Sequence, residues 1–528
     1  MEDSLLVVGG GTMGAAIALV AARAGYAVRI VEPDAAARER GTASLRREVD
    51  RAGDAAVLDR TEWIAEIPQG CDAAIAIEAV SERFDLKRDV FVKLSACLSP
   101  DALLATNTSS LSVGDLADAA SNPQRVVGLH FFNPVARMAL VEVVPCSSSA
   151  DEAIERACRF VERIGKTAVL AEDTPGFIVN RVARPYYLQA LHALESGVAP
   201  AEELDALARG AGFRMGPFEL MDLIGLDVNL ATSESVYART EADRLAPAAL
   251  QRSMVARGLL GRKSGAGFYT YRDGAAARFE PAAPAPPADP VEDERVAIVG
   301  FAGLADEIAE AVAQHYVHVQ RIENDELLDE LSAATTIVVD VGDGSTDRSE
   351  ILAQLDSLLD PAAVFFVDAY ATDLDACAES MRHPERLVGY GLLGSLTAQR
   401  TVEIVDSDAV SDDALELAQE FFSVLGKSVV LVENVPGLFL GRTVGSIVNE
   451  AATAVQEGVA SPEDVDTAMR LGANYPVGPF AWGREIGGAR LARILKRVAK
   501  AEGEAFAPHR SLWVFDLEEP AEPAEGAS

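Results

Sequence analysis

The chain has 528 residues, which at about 150 residues per domain predicts three or four domains rather than a single core. Hydrophobic residues make up 49% and charged residues 24%, an ordinary globular composition that excludes a largely disordered or fibrous protein. The formal net charge of −36 disfavours binding to nucleic acid or to an anionic membrane, because both need a basic surface.

Cysteine usage and the first residues together predict a cytoplasmic protein. The start, Met-Glu-Asp-Ser, lacks the basic segment of a secretory signal peptide, and no apolar run approaches the roughly 18 residues of a membrane span. The five cysteines show neither the C-x-x-C spacing of a zinc site nor a dense disulfide framework. We therefore expect a reducing compartment, with no metal site and no disulfide.

The first half of the chain alternates between short apolar runs and helical stretches. Residues 5–8 form an apolar run that enters a glycine cluster, and residues 13–25 follow as an alanine-rich helix. This alternation predicts a mostly parallel, doubly wound α/β sheet, whereas helical spacing over residues 178–259 predicts an all-α second domain. The further apolar runs lie at residues 27–31, 73–77, 102–105, 126–131 and 140–144.

A glycine-rich turn joins the first predicted strand to the first predicted helix. Its G-x-G-x-x-G spacing lets a pyrophosphate approach the helix N-terminus, and Glu32 ends the next strand, where a carboxylate accepts hydrogen bonds from ribose hydroxyls. The same charge repels a 2′-phosphate, so the pattern predicts NAD rather than NADP. A structural turn with a surface glutamate is the alternative, and flavoproteins share the fingerprint. The turn comprises Gly9, Gly11, Thr12, Met13 and Gly14.

His130 and Glu142 lie on consecutive predicted strands, 12 residues apart. Because ligands bind at the carboxyl edge of a doubly wound sheet, we expect the two side chains to meet there. A carboxylate on one imidazole nitrogen leaves the other nitrogen to accept an alcohol proton as hydride departs. The pattern thus predicts general base catalysis, with a buried structural histidine as the alternative.

Small polar residues follow another strand, in the segment TNTSS at residues 106–110. Asn107, Ser109 and Ser110 offer hydrogen-bonding groups near the same edge, although a helix N-cap also explains Ser110. The segment DTPGFIVNR places Asn180 on the first turns of the helical domain, from which its side chain can close over a nicotinamide.

The second half of the chain repeats the first. RVVGLHFF at 125–132 aligns with RLVGYGLL at 386–393, and DTPGFIVNR at 173–181 aligns with NVPGLFLGR at 434–442, both at an offset of 261 (386 − 125 = 434 − 173). At this offset His130 becomes Gly391, Ser109 becomes Tyr370 and Asn180 becomes Gly441, while Glu142 keeps its acid as Glu403. The early part of the second copy is about 30 residues shorter, since the opening glycines at 9 and 300 are 291 apart. The pattern predicts a duplicated chain whose second copy has lost its chemistry.

Eight segments between residues 9 and 269 resemble, in order, the L-3-hydroxyacyl-CoA dehydrogenase family. They are GGGTMG, IEAV, TNTSSL, GLHFFNPV, LVEVV, DTPGFIVNR, GPFELMD and GRKSGAGFY. The resemblance implies His130 as general base, Glu142 as its orienting partner, and Ser109 and Asn180 as donors to the substrate oxygen. It also implies (S)-3-hydroxyacyl-CoA as substrate, assembly as a homodimer, and NAD contacts at Glu32, Glu82, Lys87, Asn107 and Lys263.

The resemblance and the repeat together give a domain plan. A Rossmann domain for NAD at 1–173 and a helical dehydrogenase domain at 174–278 precede a Pro-rich linker at 279–293. A reduced, inactive Rossmann-like domain at 294–432 and a second helical domain at 433–517 follow. An acidic tail at 518–528 ends the chain.

The substrate remains open between two acyl groups. The duplicated build resembles long 3-hydroxyadipyl-CoA dehydrogenases of phenylacetate catabolism, with 3-hydroxybutyryl-CoA or another β-oxidation intermediate as the alternative. Arg46 and Arg47 lie in a basic helical stretch that can bind CoA phosphates, unless the helix is merely solvent-exposed and charged. Ala139 replaces a lysine common in the family, so Arg137 or Arg184 can instead meet a distal carboxylate.

Two other classes stay open. A chain that keeps this fold without turnover would be an NAD-binding scaffold or sensor, which the intact set of His130, Glu142, Ser109 and Asn180 argues against. A 3-hydroxyisobutyrate-type dehydrogenase would be expected to use a catalytic lysine in place of the histidine and glutamate pair.

Overall fold

The computed structural model describes residues 3–272, 279–281, 290–300, 303–323, 330–342 and 345–512. Most of the predicted linker and the whole predicted acidic tail lie outside these ranges. The described residues divide between two compact units. The first unit draws on Met1–Val182, Ala238–Thr240 and Ala454–Asn474, and the second on Ala183–Tyr237, Glu241–Thr453 and Tyr475–Ser528.

The first unit is built on an eight-stranded sheet, in which strand order 3-2-1-4-5-6-7-8 places the first strand near the centre. The only antiparallel neighbours in this sheet are the sixth and seventh strands, so the predicted mostly parallel, doubly wound sheet is confirmed. The strands are β1 Ser4–Val8, β2 Ala27–Val31, β3 Thr61–Ile64, β4 Ile75–Glu78, β5 Leu103–Thr106, β6 Val126–Phe131, β7 Leu140–Pro145 and β8 Thr167–Leu170.

Five helices accompany this sheet. They are α1 Thr12–Arg23, α2 Ala35–Ala52, α3 Phe84–Cys97, α4 Val113–Ala117 and α5 Asp151–Arg163. The alanine-rich α1 buries Ile17, Ala18, Ala21 and Ala22 completely, because small side chains let the helix lie close to the sheet. Central strands such as β6 are buried along their whole length, as the apolar runs predict for a sheet covered on both faces.

The helices that follow form the predicted all-α region of the first copy. They are α6 Val179–Val182, α7 Arg184–Glu195, α8 Ala201–Gly210, α9 Pro217–Ile224, α10 Leu226–Thr240 and α11 Ala249–Ala256. Two buried carboxylates tie this region together. Asp205 accepts hydrogen bonds from the backbone N–H groups of Phe218 and Glu219, and Asp222 accepts hydrogen bonds from those of Phe268 and Tyr269.

A seven-stranded sheet in the second unit repeats the architecture in reduced form. Its order is 10-9-11-12-13-14-15, and the described residues between its second and third strands contain no counterpart of β3 or of α2. The predicted shortening therefore falls on these elements. The strands are β9 Val291–Val299, β10 Tyr316–Ile322, β11 Ile337–Asp340, β12 Val364–Asp368, β13 Leu387–Gly391, β14 Thr401–Val405 and β15 Ser428–Val432.

The helices of the second copy complete the fold. They are α12 Leu304–Val312, α13 Arg348–Leu358, α14 Leu374–Ser380, α15 Asp412–Val424, α16 Phe439–Gln456, α17 Pro462–Gly472, α18 Pro479–Ile486 and α19 Gly488–Glu502. Among the described helices, none has the length and hydropathy needed to cross a bilayer.

The two copies exchange one helix each. In the first unit α17, from the second copy, packs on β7 and α6. In the second unit α8, from the first copy, packs on β14. A Cβ atom on Gly472 would lie 2.5 Å from Leu140, and one on Gly210 would lie 2.0 Å from Thr401. These glycines occupy matching positions in the repeat. In both copies the absence of a side chain therefore lets the helix approach the strand closely.

Candidate active site

The glycine turn between β1 and α1 is a tight backbone structure. Gly9 has φ of 110°, and a Cβ atom there would lie 2.5 Å from the Ala79 carbonyl oxygen. A Cβ on Gly14 would lie 1.8 Å from the Gly9 carbonyl oxygen, whereas one on Gly11 would meet nothing within 4 Å. Gly9 and Gly14 are thus required by the turn itself. Gly11, followed by Thr12 and Met13 at the start of α1, leaves open backbone that a pyrophosphate can approach.

Glu32 follows β2 and lies beside this turn. Its Oε2 accepts a hydrogen bond from the Gly10 N–H at 3.0 Å, and its Oε1 accepts one from the Asp34 N–H at 3.1 Å. The carboxylate is therefore held in place at the end of its strand, where a dinucleotide presents its ribose. The residues present fit NAD.

A buried ion pair lies at the ends of β4 and β5. Lys87 Nζ is 2.9 Å from Glu78 Oε1 and 3.1 Å from Glu82 Oε2, with the Lys87 side chain only 1% exposed. Burial raises the pKa of Glu78. Burial acts in the same direction on Glu82, but the Lys87 ammonium group and several hydrogen bonds outweigh it and lower the pKa of Glu82. The Lys87 ammonium therefore already has acceptors within the protein, and its contact with NAD stays a prediction.

The loop after β5 is organised by the Glu82 carboxylate. Glu82 Oε1 accepts hydrogen bonds from the Thr108 hydroxyl at 2.6 Å, the Ser109 N–H at 2.9 Å and the Ser110 N–H at 3.1 Å. Within the described residues the Ser109 hydroxyl has no hydrogen-bond partner. Asn107 Oδ1 accepts a hydrogen bond from the Phe131 N–H at 2.9 Å, which joins this loop to the strand that carries His130.

The helix-cap interpretation of Ser110 is wrong. Ser112 caps α4, with its hydroxyl accepting a hydrogen bond from the Asp115 N–H, while the Ser110 hydroxyl donates to Glu82. The cap falls two residues later because the carboxylate of Glu82 holds Ser110 in the preceding loop.

His130 and Glu142 meet as predicted, because they form a directly opposed pair on antiparallel β6 and β7. Nδ1 of His130 lies 2.6 Å from Oε2 of Glu142, and the two residues are 3% and 0% exposed. Rings of Phe132 and Phe177 flank the imidazole, with centroids 4.6 and 5.6 Å from its own. In the described part of the chain Nε2 has no hydrogen-bond partner, so this nitrogen is available to a substrate.

The start of α6 provides the second anchor of Glu142. Oε1 of Glu142 accepts hydrogen bonds from the backbone N–H groups of Ile178 at 3.0 Å and Val179 at 2.9 Å. Asn180 is the next residue, half-buried on the same short helix. No sequence pattern predicted these backbone anchors, because they depend on three-dimensional proximity between β7 and the loop before α6.

The predicted CoA contacts and the last predicted NAD contact lie in different compact units. Arg46 and Arg47 are exposed on α2 and, with Arg38 and Trp63, line a surface pocket of about 570 Å³. Lys263 belongs to the second unit, where it forms an ion pair with Asp227.

Arg184 is not available to a substrate carboxylate, contrary to the interpretation from sequence. It is 3% exposed, its guanidinium group donates to Ser233 Oγ at 3.0 Å and lies over the Tyr187 ring. Arg137 is exposed in the loop between β6 and β7. Sequence reasoning missed a further guanidinium, since Arg239 Nη1 donates to the Ser110 carbonyl oxygen at 2.9 Å.

The matching position in the second copy is filled by a tyrosine. Gly391 and Glu403 form the opposed pair on β13 and β14, and the Tyr370 hydroxyl donates to Glu403 Oε2 at 2.6 Å. A Cβ on Gly391 or on Gly441 would lie 2.6 or 2.7 Å from the Tyr370 ring. The ring thus occupies the space that side chains at the counterparts of His130 and Asn180 would need.

A buried ion pair of the first copy is replaced in the second copy by a different acid and a different base. Asp340 and Arg348 form a two-pronged ion pair, with both contacts at 2.6 Å, at the positions that match Glu78 and Lys87. Both charges survive although both residues differ, which indicates that the buried pair supports the end of the strand. The offset of 261 pairs Lys87 with Arg348, but Glu78 and Asp340 are 262 apart, so the pair emerges only when the strand ends are matched.

A doubly wound sheet with a glycine turn, an acidic residue after its second strand and a histidine–glutamate pair at its carboxyl edge defines a dinucleotide-dependent dehydrogenase. The family model for the 3-hydroxyacyl-CoA dehydrogenase NAD binding domain matches residues 4–174 and 309–435. The model for the C-terminal domain of the same family matches residues 176–271 and 437–519. The chain belongs to the 3-hydroxyacyl-CoA dehydrogenase family and is an NAD-dependent oxidoreductase.

Relatives of two lengths resemble the chain. The 3-hydroxyadipyl-CoA dehydrogenase of Escherichia coli is 36% identical over 95% of this chain and 94% of its own length. The 3-hydroxybutyryl-CoA dehydrogenase of Mycobacterium tuberculosis is 38% identical over 50% of this chain and 97% of its own. A crystal structure described as 3-hydroxybutyryl-CoA dehydrogenase from Escherichia coli K12 covers 98% of both chains with TM-score 0.78 and 34% identity.

Proposed function

We propose that this protein oxidises (S)-3-hydroxyadipyl-CoA to the 3-keto thioester at a single site in its first copy. The observation that carries the site is the buried pair of His130 and Glu142, 2.6 Å apart in the unit that also holds the glycine turn. The adipyl group is favoured because a relative that matches nearly the whole chain is named for it. The second candidate substrate is 3-hydroxybutyryl-CoA, for which a full-length structural match is named.

The first copy provides the groups to hold the cofactor. Glu32 and the glycine turn would hold the adenosine and pyrophosphate, with Asn107, Glu82 and Lys87 at the neighbouring strand ends. When bound, NAD supplies the hydride acceptor. Every other step falls to the protein's own side chains.

His130 acts as the general base. Its free Nε2 takes the proton of the C3 hydroxyl while the hydride leaves the same carbon, so the C3–O single bond becomes a carbonyl. Glu142 accepts the Nδ1–H bond, fixes the ring orientation and stabilises the imidazolium that forms. Ser109 and Asn180 donate hydrogen bonds to the substrate oxygen, where negative charge develops as the proton moves to His130 and before the hydride has fully left.

Cationic side chains of the first unit would bind the acidic groups of the substrate. Arg46 and Arg47, at the pocket on α2, would bind CoA phosphates. Arg137 and Arg239 are exposed guanidinium groups, and Arg239 contacts the residue next to Ser109. Because the distal carboxylate of an adipyl chain lies only about 5 Å beyond C3 at standard bond lengths, either arginine is a candidate partner for it.

The second copy has a structural role under this proposal. Tyr370 fills the position of the catalytic side chains in the second copy. The match of the second copy to the NAD-binding family model begins at residue 309, after the glycines at 300 and 303. A cytoplasmic location and assembly as a homodimer belong to the same proposal. Light scattering tests the dimer.

Turnover by the purified protein tests the proposal. NADH formation is followed with (S)-3-hydroxyadipyl-CoA, (S)-3-hydroxybutyryl-CoA and a longer neutral 3-hydroxyacyl-CoA. We expect kcat/KM to be highest for the adipyl ester, and a preference for either neutral ester would contradict that assignment. The His130→Gln variant should lose about 10²- to 10⁴-fold in kcat with NAD affinity retained, because only proton transfer is removed. A fully active variant would refute the proposed base.

A further inference from the structure

One short stretch of the second copy lies in the unit that contains His130. Residues Ala454–Asn474 group with the first sheet rather than with the second. Within this stretch α17 packs on β7, which carries Glu142, and on α6, which carries Asn180. A Cβ on Gly472 would lie 2.5 Å from Leu140 and 2.9 Å from Val179, so the contact is close. The inactive copy therefore touches the elements that hold the proposed active site.

An ion pair joins this stretch to α6. Arg181 Nη1 donates to Glu457 Oε2 at 2.7 Å, with the Arg181 side chain 3% exposed and that of Glu457 54% exposed. Arg181 directly follows Asn180, and Val179, the residue before Asn180, donates its N–H to Glu142. A buried guanidinium needs an anionic partner because its charge is removed from water. Glu457 meets that need from the second copy.

The other end of the same active-site segment is held by backbone. The Glu172 N–H donates to the Val459 carbonyl oxygen at 2.8 Å. The turn at residues 457–459 thus contacts both residue 172 and residue 181, which bracket the loop that anchors Glu142 and leads to Asn180. Two contacts at the ends of one loop restrict its movement more than either does alone.

Comparison of the two copies separates fold from function. The backbone bond recurs in the second unit, where the Glu433 N–H donates to the Val198 carbonyl oxygen at 3.0 Å. The ion pair does not recur: the counterpart of Glu457 is Ser196, and Arg442, the counterpart of Arg181, bonds to Gln189 and Glu502 instead. The shared bond belongs to the duplicated fold. The glutamate occurs only where it faces the copy that keeps His130, Ser109 and Asn180.

We propose that Glu457 is a positioning residue for the dehydrogenase site, acting through Arg181 to fix α6. Fixing α6 sets the place of Asn180 and of the N–H groups that hold Glu142 against His130. The second copy, although it has lost its own chemistry, thereby completes the active site of the first. This inference rests on the proposed roles of His130, Glu142 and Asn180.

The test compares Glu457→Gln with a matched control, Glu463→Gln, in the full-length protein. Both changes remove one negative charge, but Glu463 is exposed on α17 and makes no described ion pair. We expect Glu457→Gln to lower kcat about three- to tenfold, the equivalent of roughly 1 kcal/mol, while KM for NAD stays near wild type. The melting temperature should fall modestly, because the buried Arg181 guanidinium loses its charged partner. Glu463→Gln should match wild type in kcat, in KM for NAD and in melting temperature.

A double-mutant cycle with Asn180→Ala identifies the route. If Glu457 acts through α6, Glu457→Gln should lower kcat by less than about twofold in the Asn180→Ala background, because the effects of coupled residues are not additive. Equal kcat for Glu457→Gln and Glu463→Gln, or fully additive losses in the cycle, would overturn the positioning role while leaving the proposed function intact. A wild-type protein that forms no NADH from any 3-hydroxyacyl-CoA would overturn both.

Discussion

Glu142 and Glu403 occupy the same position in the two copies, yet their third partner differs. Each accepts two backbone N–H bonds from the start of the following helix, from Ile178 and Val179 in the first copy and from Phe439 and Leu440 in the second. Oε2 meets His130 Nδ1 in the first copy and the Tyr370 hydroxyl in the second, where it also accepts the Leu440 N–H. The same carboxylate position thus bonds an imidazole in the first copy and a tyrosine hydroxyl in the second.

The second carboxylate gives a pH-dependent contribution to stability. Burial raises the pKa of Glu403 from 4.5 to about 7. Between these values the folded protein binds a proton at Glu403 that the unfolded chain releases, so this contribution is fully present below pH 4.5 and is lost as the pH rises through 7. This change of stability with pH is opposite in direction to that produced by an ordinary salt-bridged glutamate.

We therefore expect Glu403→Gln to flatten the pH dependence of unfolding. The free energy of unfolding of the wild type should fall relative to the variant by up to about 3 kcal/mol between pH 5 and pH 8, since one pKa unit is worth about 1.4 kcal/mol. Urea unfolding at a series of pH values measures the difference. Parallel profiles for the two proteins would show that Glu403 titrates normally.

At the scale of elements, the glycine turn contains two kinds of glycine. Gly14→Ala should weaken NAD binding and also lower the melting temperature, because its Cβ would overlap the Gly9 carbonyl oxygen. Gly11→Ala has room in the fold, so it should weaken NAD binding through the approach of the pyrophosphate while the melting temperature stays within about 2 °C of wild type. Calorimetric titration and thermal unfolding separate the two effects. Unchanged NAD affinity in Gly11→Ala would place the pyrophosphate elsewhere.

The strands near the site were predictable because their apolar runs are continuous and buried. β3 and β8 were not predicted, since they are the edge strands of the sheet and are short and partly exposed. The meeting of His130 and Glu142 followed from strand spacing and the rule that sites lie at the carboxyl edge. The assignment of Ser110 as a cap failed because Glu82, 28 residues earlier, takes its hydroxyl as a hydrogen-bond donor.

At the scale of the whole molecule, duplication was visible in the sequence but the exchange of helices was not. The offset of 261 shows that two copies exist and which residues correspond. It carries no information on whether α17 packs on its own sheet or on the other, because either choice buries the same apolar face. Contacts such as that of Glu172 with Val459 connect residues far apart in sequence and leave no local pattern.

Comparison of the two copies separates the residues that were replaced in the second copy from those that were kept. Tyr370, Gly391 and Gly441 act as one replacement, since the ring requires both glycines for its space. The charge pair of Asp340 and Arg348 and the anchors of Glu403 persist because they support the fold. Replacement of three site residues beside retained packing is what the proposed scaffold role of the second copy predicts.

The stoichiometry of NAD binding tests the central claim, a single working site in a duplicated chain, most directly. Isothermal titration of the full-length protein with NAD should give one binding site per chain, and the His130→Gln variant should give the same value. Two equivalents of NAD per chain would contradict the claim, because they would require a working nucleotide site in the second copy.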